Sequence, residues 1–267
     1  MSEVVALLLS GPLQSWGGHS RHTTRGTLTH PTKSGVVGLC AAALGRPRGC
    51  DLSDLAALRF GVRVDRPGTL LEDFHTISAA SHGPLDPRAQ RLPTSGGGRL
   101  KPGEGKVSRR QYLQDAVFVA ALEATSEEGV DLVDVLQEAL RRPRFPLYLG
   151  RRSCPPDRPV FLAGLGHTDL LGALECIEWH GGRPPNPWSH PREEEPPEGL
   201  PVVLEDERGE ELLPDAPLPG PAFRRSFGDR PVRHTRVRVA EPTTGAHGAH
   251  SAFDGDGAMD LLAEGDG

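Results

Sequence analysis

Aromatic residues make up only 5% of this 267-residue chain, and lysine is confined to Lys33, Lys101 and Lys106. A sheet that reads RNA by stacking bases presents a run such as Lys/Arg-Gly-Phe/Tyr-Gly/Ala-Phe-Val-x-Phe/Tyr. No such run occurs, so recognition by an aromatic sheet face is excluded. No stretch of eighteen apolar residues exists either, and no membrane-spanning helix is expected. The opening MSEVVALLLS carries Glu3 where a signal peptide carries basic residues, which makes it a buried first strand. Cys40, Cys50, Cys154 and Cys176 form no Cys-x-x-Cys pair and no zinc-finger spacing. They read as reduced cysteines of a cytoplasmic protein, with no metal site and no cofactor. A phosphate loop is missing too. It needs a Gly five places before Gly-Lys and a Ser or Thr after it; around Gly105 and Lys106 those positions hold Leu100 and Val107.

What the chain has in excess is glycine and proline, 33 and 26 residues, within a globular composition of 36% hydrophobic and 25% charged residues. Its length suits one large domain or two small ones. The formal net charge of -6 conceals an asymmetry: residues 1–150 carry +3 and residues 151–267 carry -9. Between residues 88 and 110 there are seven basic residues against Glu104 alone. Nearly all the positive charge is arginine, whose planar fork suits phosphate and can stack on bases. A genome that favours arginine codons produces the same bias.

Residues 4–10 form a continuous apolar run ended by Gly11-Pro12, a strand buried on both faces. Residues 11–30 are too rich in Gly, Thr and His for a regular element. A helix is expected over 31–45, with Pro31 and Thr32 at its start and Gly45 as its stop. A short helical turn follows at 52–58. Residues 60–66 alternate as a half-buried strand, and 69–77 can return beside it. From 78 to 108 periodicity is lost, and an insertion of that length is either functional or a solvated loop. Strand character resumes over 112–121, and a helix with one apolar face covers 130–140. A short strand is expected at 174–179 and a final strand at 232–240. Residues 183–221 are Pro- and acid-rich, and the tail from 241 reads as disordered, with His247 and His250 as low complexity. The fold class is therefore α+β: a ferredoxin-like (RRM-type) core at 1–145 with a long thumb insertion at about 77–110, then a smaller irregular β-containing region at 146–240.

The segments GPLQSWG (11–17), PTKSGVVGLCAAALG (31–45), RRQYLQDAVFVAAL (109–122) and FPLYLGRRSCPP (145–156) resemble the signature stretches of the CasD family, the fifth Cas family, in type I-E CRISPR Cascade complexes. The resemblance covers roughly residues 4–165. It implies a RAMP protein with a ferredoxin-like core and a protruding thumb, capping the 5′ handle of the CRISPR RNA. The implied partners are that RNA, the CasC backbone subunit, the large CasA subunit and the other Cascade subunits, with target DNA met only through the complex and no membrane. It also implies an antiviral scaffold without catalytic residues, since processing belongs to CasE.

A cap on single-stranded RNA needs cations for phosphates, stacking surfaces and hydrogen-bonding edges. Gln14, Ser15 and Trp16, past a strand end, offer an amide, a hydroxyl and a stacking face, although Trp16 is equally suited to a core or hinge. Thr32, Lys33 and Ser34 open a helix whose N-terminus favours a phosphate, or serve as an ordinary cap beside a solvated lysine. Arg109, Arg110, Gln111 and Tyr112 stand where the insertion returns to the sheet, and strand alternation lets only one of the two arginines reach a given phosphate. Arg151, Arg152, Ser153 and Cys154 lie in a loop pinned by Pro155 and Pro156, a rigid RNA contact or a surface loop pairing with acids. The competing function is a metal-independent endoribonuclease processing precursor CRISPR RNA, with Tyr112, Tyr148, His75 and Lys33 as available acid–base groups. A module that binds protein alone would leave the basic insertion without a purpose.

Overall fold

The computed structural model describes residues 3–21, 23–78, 105–182, 195–218 and 226–239. The strands are β1 (Glu3–Ser10), β2 (Leu13–Gln14), β3 (Trp16–Arg21), β4 (Thr24–Leu28), β5 (Arg59–Arg66), β6 (Thr69–Ser78), β7 (Gly105–Gln114), β8 (Val117–Ala124), β9 (Phe161–Gly166), β10 (Leu200–Glu205), β11 (Glu211–Leu218) and β12 (Ser226–Val237). The helices are α1 (Lys33–Ala43), α2 (Ser53–Ala57), α3 (Glu127–Arg141) and α4 (Leu170–Cys176).

The expected ferredoxin-like core is present. Its elements run β1, α1, β5, β8, α3, β9, and its strands pair antiparallel in the order β5-β8-β1-β9. β1 is buried from Val4 to Ser10 because both faces of the sheet are covered. Val5, Leu7 and Leu9 face a core shared with α1 and α3, whereas Val4, Ala6 and Leu8 face α4 and β10. Both major helices open as the sequence requires: Thr32 accepts a hydrogen bond from the Gly35 N–H, and Ser126 accepts one from the Gly129 N–H, each at 3.2 Å.

Four local expectations are corrected. β6 does not return beside β5. It pairs with β7 along ten residues, from Thr69↔Gln114 to Ser78↔Gly105, and forms a two-stranded arm, while β8 takes the place beside β5. The strand expected over 112–121 is divided in two by Asp115, whose φ of 56° turns the chain from arm into core sheet. Residues 174–179 contribute to α4 and the turn after it, not to a strand. Residues 11–30 are ordered as β2, β3 and β4, which join β7 in a second sheet. Sequence patterning also passed over β9, β10 and β11. β10, β12 and β11 extend the core sheet beyond β5 into seven strands, with Leu200, Val202, Val203 and Leu204 buried behind an acid-rich sequence. The middle of the insertion and the tail, including His247 and His250, lie outside the described residues.

Candidate nucleic-acid interface

Three segments far apart in sequence meet where β1 ends. Gln14 is fully buried and donates to the Leu9 carbonyl at 3.0 Å and to the Ala116 carbonyl at 2.7 Å, while its own carbonyl accepts from Trp16 Nε1 at 3.0 Å. Trp16 is also fully buried and packs against Gly35, where an added Cβ would lie 2.9 Å from the indole ring. Neither side chain is presented to solvent, so the stacking face expected at Trp16 is turned into the core. Ser15 donates through its hydroxyl to the Gln111 carbonyl at 3.1 Å, and its N–H donates to the Leu149 carbonyl at 3.1 Å. This last bond seats the loop of residues 148–154 on the Gln14–Trp16 segment. Gly150 makes the approach possible: its φ is 83°, and a Cβ there would stand 1.8 Å from the Ser15 oxygen. The loop is closed by the Leu149 N–H on the Cys154 carbonyl at 2.7 Å and the Cys154 N–H on the Arg151 carbonyl at 2.9 Å. Cys154 is buried beneath it, and burial pushes its thiol pKa up.

At the start of α1 the expected phosphate contact is replaced by an internal anion. The Asp215 carboxylate accepts from the Lys33 N–H at 2.8 Å and is itself held by Arg230 Nε and Nη2, both at 2.8 Å. Lys33 is not solvated: it is 3% exposed, and its ammonium donates to both Glu205 oxygens at 3.0 and 2.9 Å. Burial lowers its pKa, opposed by the Glu205 charge. Thr32 serves its own helix, and half-buried Ser34 borders a groove described below. Sequence reading missed this because β10 and β11 supply the acids from more than 170 residues away.

The base of the arm is different. Ser108, Arg110 and Tyr112 share one face of β7 by strand alternation, and the Arg151 guanidinium lies 4.7 Å from the Tyr112 ring centroid. Arg151 Nη2 donates to the Arg25 carbonyl at 3.1 Å on β4, where Arg25 is the ladder neighbour of Arg110. Three polar atoms here, Ser108 Oγ, Arg110 Nε and Arg151 Nη1, are buried without a hydrogen-bond partner among the described residues. Unpartnered guanidinium N–H groups gathered on one face suit a phosphate. Arg109 and Gln111 fall on the opposite face, where Arg109 lies 3.7 Å from Glu72. Arg25 and Ser108 escaped the sequence reading because they stand in stretches without periodicity.

On the other side of the 148–154 loop runs a groove of about 1100 Å³. Gly35, Gly38 and Ala42 of α1 form its floor, Tyr148 and Arg152 stand on one wall, and Leu218 and Phe227 on the other. Ser153 is exposed beside Arg152. The loop thus divides its arginines, Arg151 toward the arm and Arg152 toward the groove. The acid–base candidates are not assembled: Lys33 is bound to Glu205, Tyr112 lies under Arg151, and His75 is 3.8 Å from Asp73 on the arm. None of these is hydrogen-bonded to another.

A ferredoxin-like core with a two-stranded arm at its β5–β8 connection is a RAMP-like architecture. The profile of the family described as CRISPR-associated protein (Cas_Cas5) matches residues 4–238, and the chain belongs to that family. Among its relatives is the CRISPR system Cascade subunit CasD of Escherichia coli (strain K12), 37% identical over 194 residues, which cover 68% of this chain and 80% of the relative. A crystal structure of a Cas protein matches with 38% identity and a TM-score of 0.63, covering 90% of this chain and 98% of the other. A chain of a CRISPR RNA-guided surveillance complex matches with 35% identity and a TM-score of 0.65, covering 88% and 90%. Among the described residues no helix is long and apolar enough to cross a membrane.

Proposed function

We propose that this chain is a non-catalytic RNA-binding subunit of a type I-E Cascade surveillance complex, acting in antiviral defence. It caps the 5′ handle of the CRISPR RNA and joins a CasC-type backbone to a CasA-type large subunit. The observation that carries this reading is the set of unpartnered buried atoms, Ser108 Oγ, Arg110 Nε and Arg151 Nη1, at the base of an arm. In this reading a handle phosphate binds between Arg110 and Arg151. The strand then crosses the 148–154 loop past Arg152 and Ser153 and enters the groove beside Ser34. Gln14, Ser15, Trp16, Thr32, Lys33 and Cys154 position these groups from within. The ferredoxin-like part supplies arm and floor, and the region after residue 146 supplies the loop and the far wall. The protein acts in the cytoplasm, where the complex assembles.

Binding of a labelled CRISPR RNA carrying its 5′ handle, measured across a salt series, tests this. Arg110→Ala with Arg151→Ala should weaken binding about 10- to 100-fold, and the loss of that one neutralised phosphate should reduce the log–log salt slope by about 0.7. Arg142→Ala, an exposed position just after α3, should change neither. Equal affinity and slope in the double variant would remove the arm base from the site. Incubation with precursor repeat RNA in EDTA should leave the RNA whole, and cleavage at one position within the repeat would establish the endoribonuclease instead.

A further inference from the structure

Six acids and no Lys or Arg occupy residues 240–267, and the family profile ends at residue 238, so this tail lies beyond the matched residues. Within it, residues 253–266 interleave Phe253, Met259, Leu261 and Leu262 with Asp254, Asp256, Asp260, Glu264 and Asp266. Such acidic-apolar alternation suits a surface that is apolar with a basic rim. The groove beside the 148–154 loop has that character. Phe145, Leu218 and Phe227 line it while 47%, 49% and 46% exposed, Arg48 and Arg152 border it, and Arg46 beside them is paired with Asp54. Exposed apolar side chains gathered on one concave surface mark a docking site.

We propose that residues 253–266 dock in this groove when no RNA is bound, with Leu261 and Leu262 on the apolar walls and the carboxylates where phosphates otherwise lie. This rests on the reading that the handle enters the same groove. Reach supports it. Phe227 lies at the start of β12 and the tail leaves from its end, so the 12-residue strand separates them by about 40 Å at about 3.3 Å per residue. Residues 240–252 span up to about 43 Å when extended, so Phe253 is where the tail can first engage the groove. Tethering raises a weak contact: an effective concentration of about 1 mM against an intrinsic Kd of about 0.1 mM occupies the groove about nine-tenths of the time. The tail then withholds the groove from anionic polymers until a correctly held CRISPR RNA, anchored also at the arm base, displaces it.

Two measurements on the full chain test this. A benzophenone amino acid placed at position 261 should cross-link within the same chain to the Leu218–Phe227 wall, and Phe227→Asp should abolish that product. Cross-links to other surfaces, cross-links between chains, or a product unaffected by Phe227→Asp would overturn the docking. The second measurement is RNA affinity in Leu261→Asp with Leu262→Asp. These changes make the tail more acidic yet release it, so binding should tighten about tenfold; weaker binding would show simple charge repulsion and overturn the competition. Groove cross-links that CRISPR RNA does not displace would leave the docking intact and overturn the path of the handle through the groove. Loss of RNA binding in the arm-base variant is read separately from both.

Discussion

Gln14 uses both amide protons and its carbonyl to join the end of β1, the start of β8 and Trp16, so the residue most suggestive of base recognition acts by holding a corner. Its place just past the end of β1 was legible, because the apolar run stops at Gly11-Pro12. Its role was not, because the partners are backbone carbonyls 5 and 102 residues away. Gly150 makes the same corner sensitive to one methyl group. Gly150→Ala combines positive φ with a clash against the Ser15 oxygen, and should cost about 2 kcal/mol or more, seen as a drop of roughly 4–8 °C in Tm. His30 gives a pH signature. Burial lowers its pKa below 6.5, so below pH 6.5 the unfolded chain binds the proton that the folded chain resists. Stability should fall as pH drops from about 6.5, and His180, shifted the same way by burial, adds to the loss. A thermal-melt series from pH 7.5 to 5 should be flatter for His30→Gln than for the parent.

Among the elements, those closed by local signals were readable and those closed by distant ones were not. α1 and α3 carry their N-caps in sequence, at Thr32 and Ser126. α4 does not carry its C-terminal partners. The carbonyls of Leu174, Ile177 and Glu178 accept from Arg63 on β5, a fully buried side chain whose remaining N–H groups go to Asp65 at 2.6 and 3.0 Å. All five guanidinium protons are thus used, and a stretch with apolar strand-like composition is held as a helix and turn. Arg63→Met leaves Asp65 buried and should destabilise the protein by about 3–5 kcal/mol in denaturant unfolding. Lysine should not rescue it, because one ammonium cannot meet the planar arrangement of acceptors. β6 illustrates the same lesson for strands. Its alternation gave the strand but not the partner, since β7 lies across the long insertion and the ten-residue ladder between them is visible only in register.

For the molecule as a whole, net charge is a poor guide to the surface. Acids of the C-terminal half neutralise cations within the fold: Glu205 holds Lys33, Asp215 holds Arg230 and the start of α1, and Asp206 holds Arg233. Among the described residues Ser108 Oγ, Arg110 Nε and Arg151 Nη1 have no such partner, so a chain of net charge -6 still carries a local group of unpaired donors, the place proposed for the handle phosphate. The Gln14–Trp16 segment ties the arm base to the 148–154 loop through Ser15 and borders the groove through Trp16, joining segments that were legible separately and not as a set. The most direct test is a map of RNA–protein cross-links in the assembled complex, made with photoreactive nucleotides placed through the 5′ handle. Handle cross-links concentrated on residues 108–112 and 148–153 are the predicted result. Handle cross-links confined to α3, β9 or a neighbouring subunit, with none at the arm base or the loop, would contradict it.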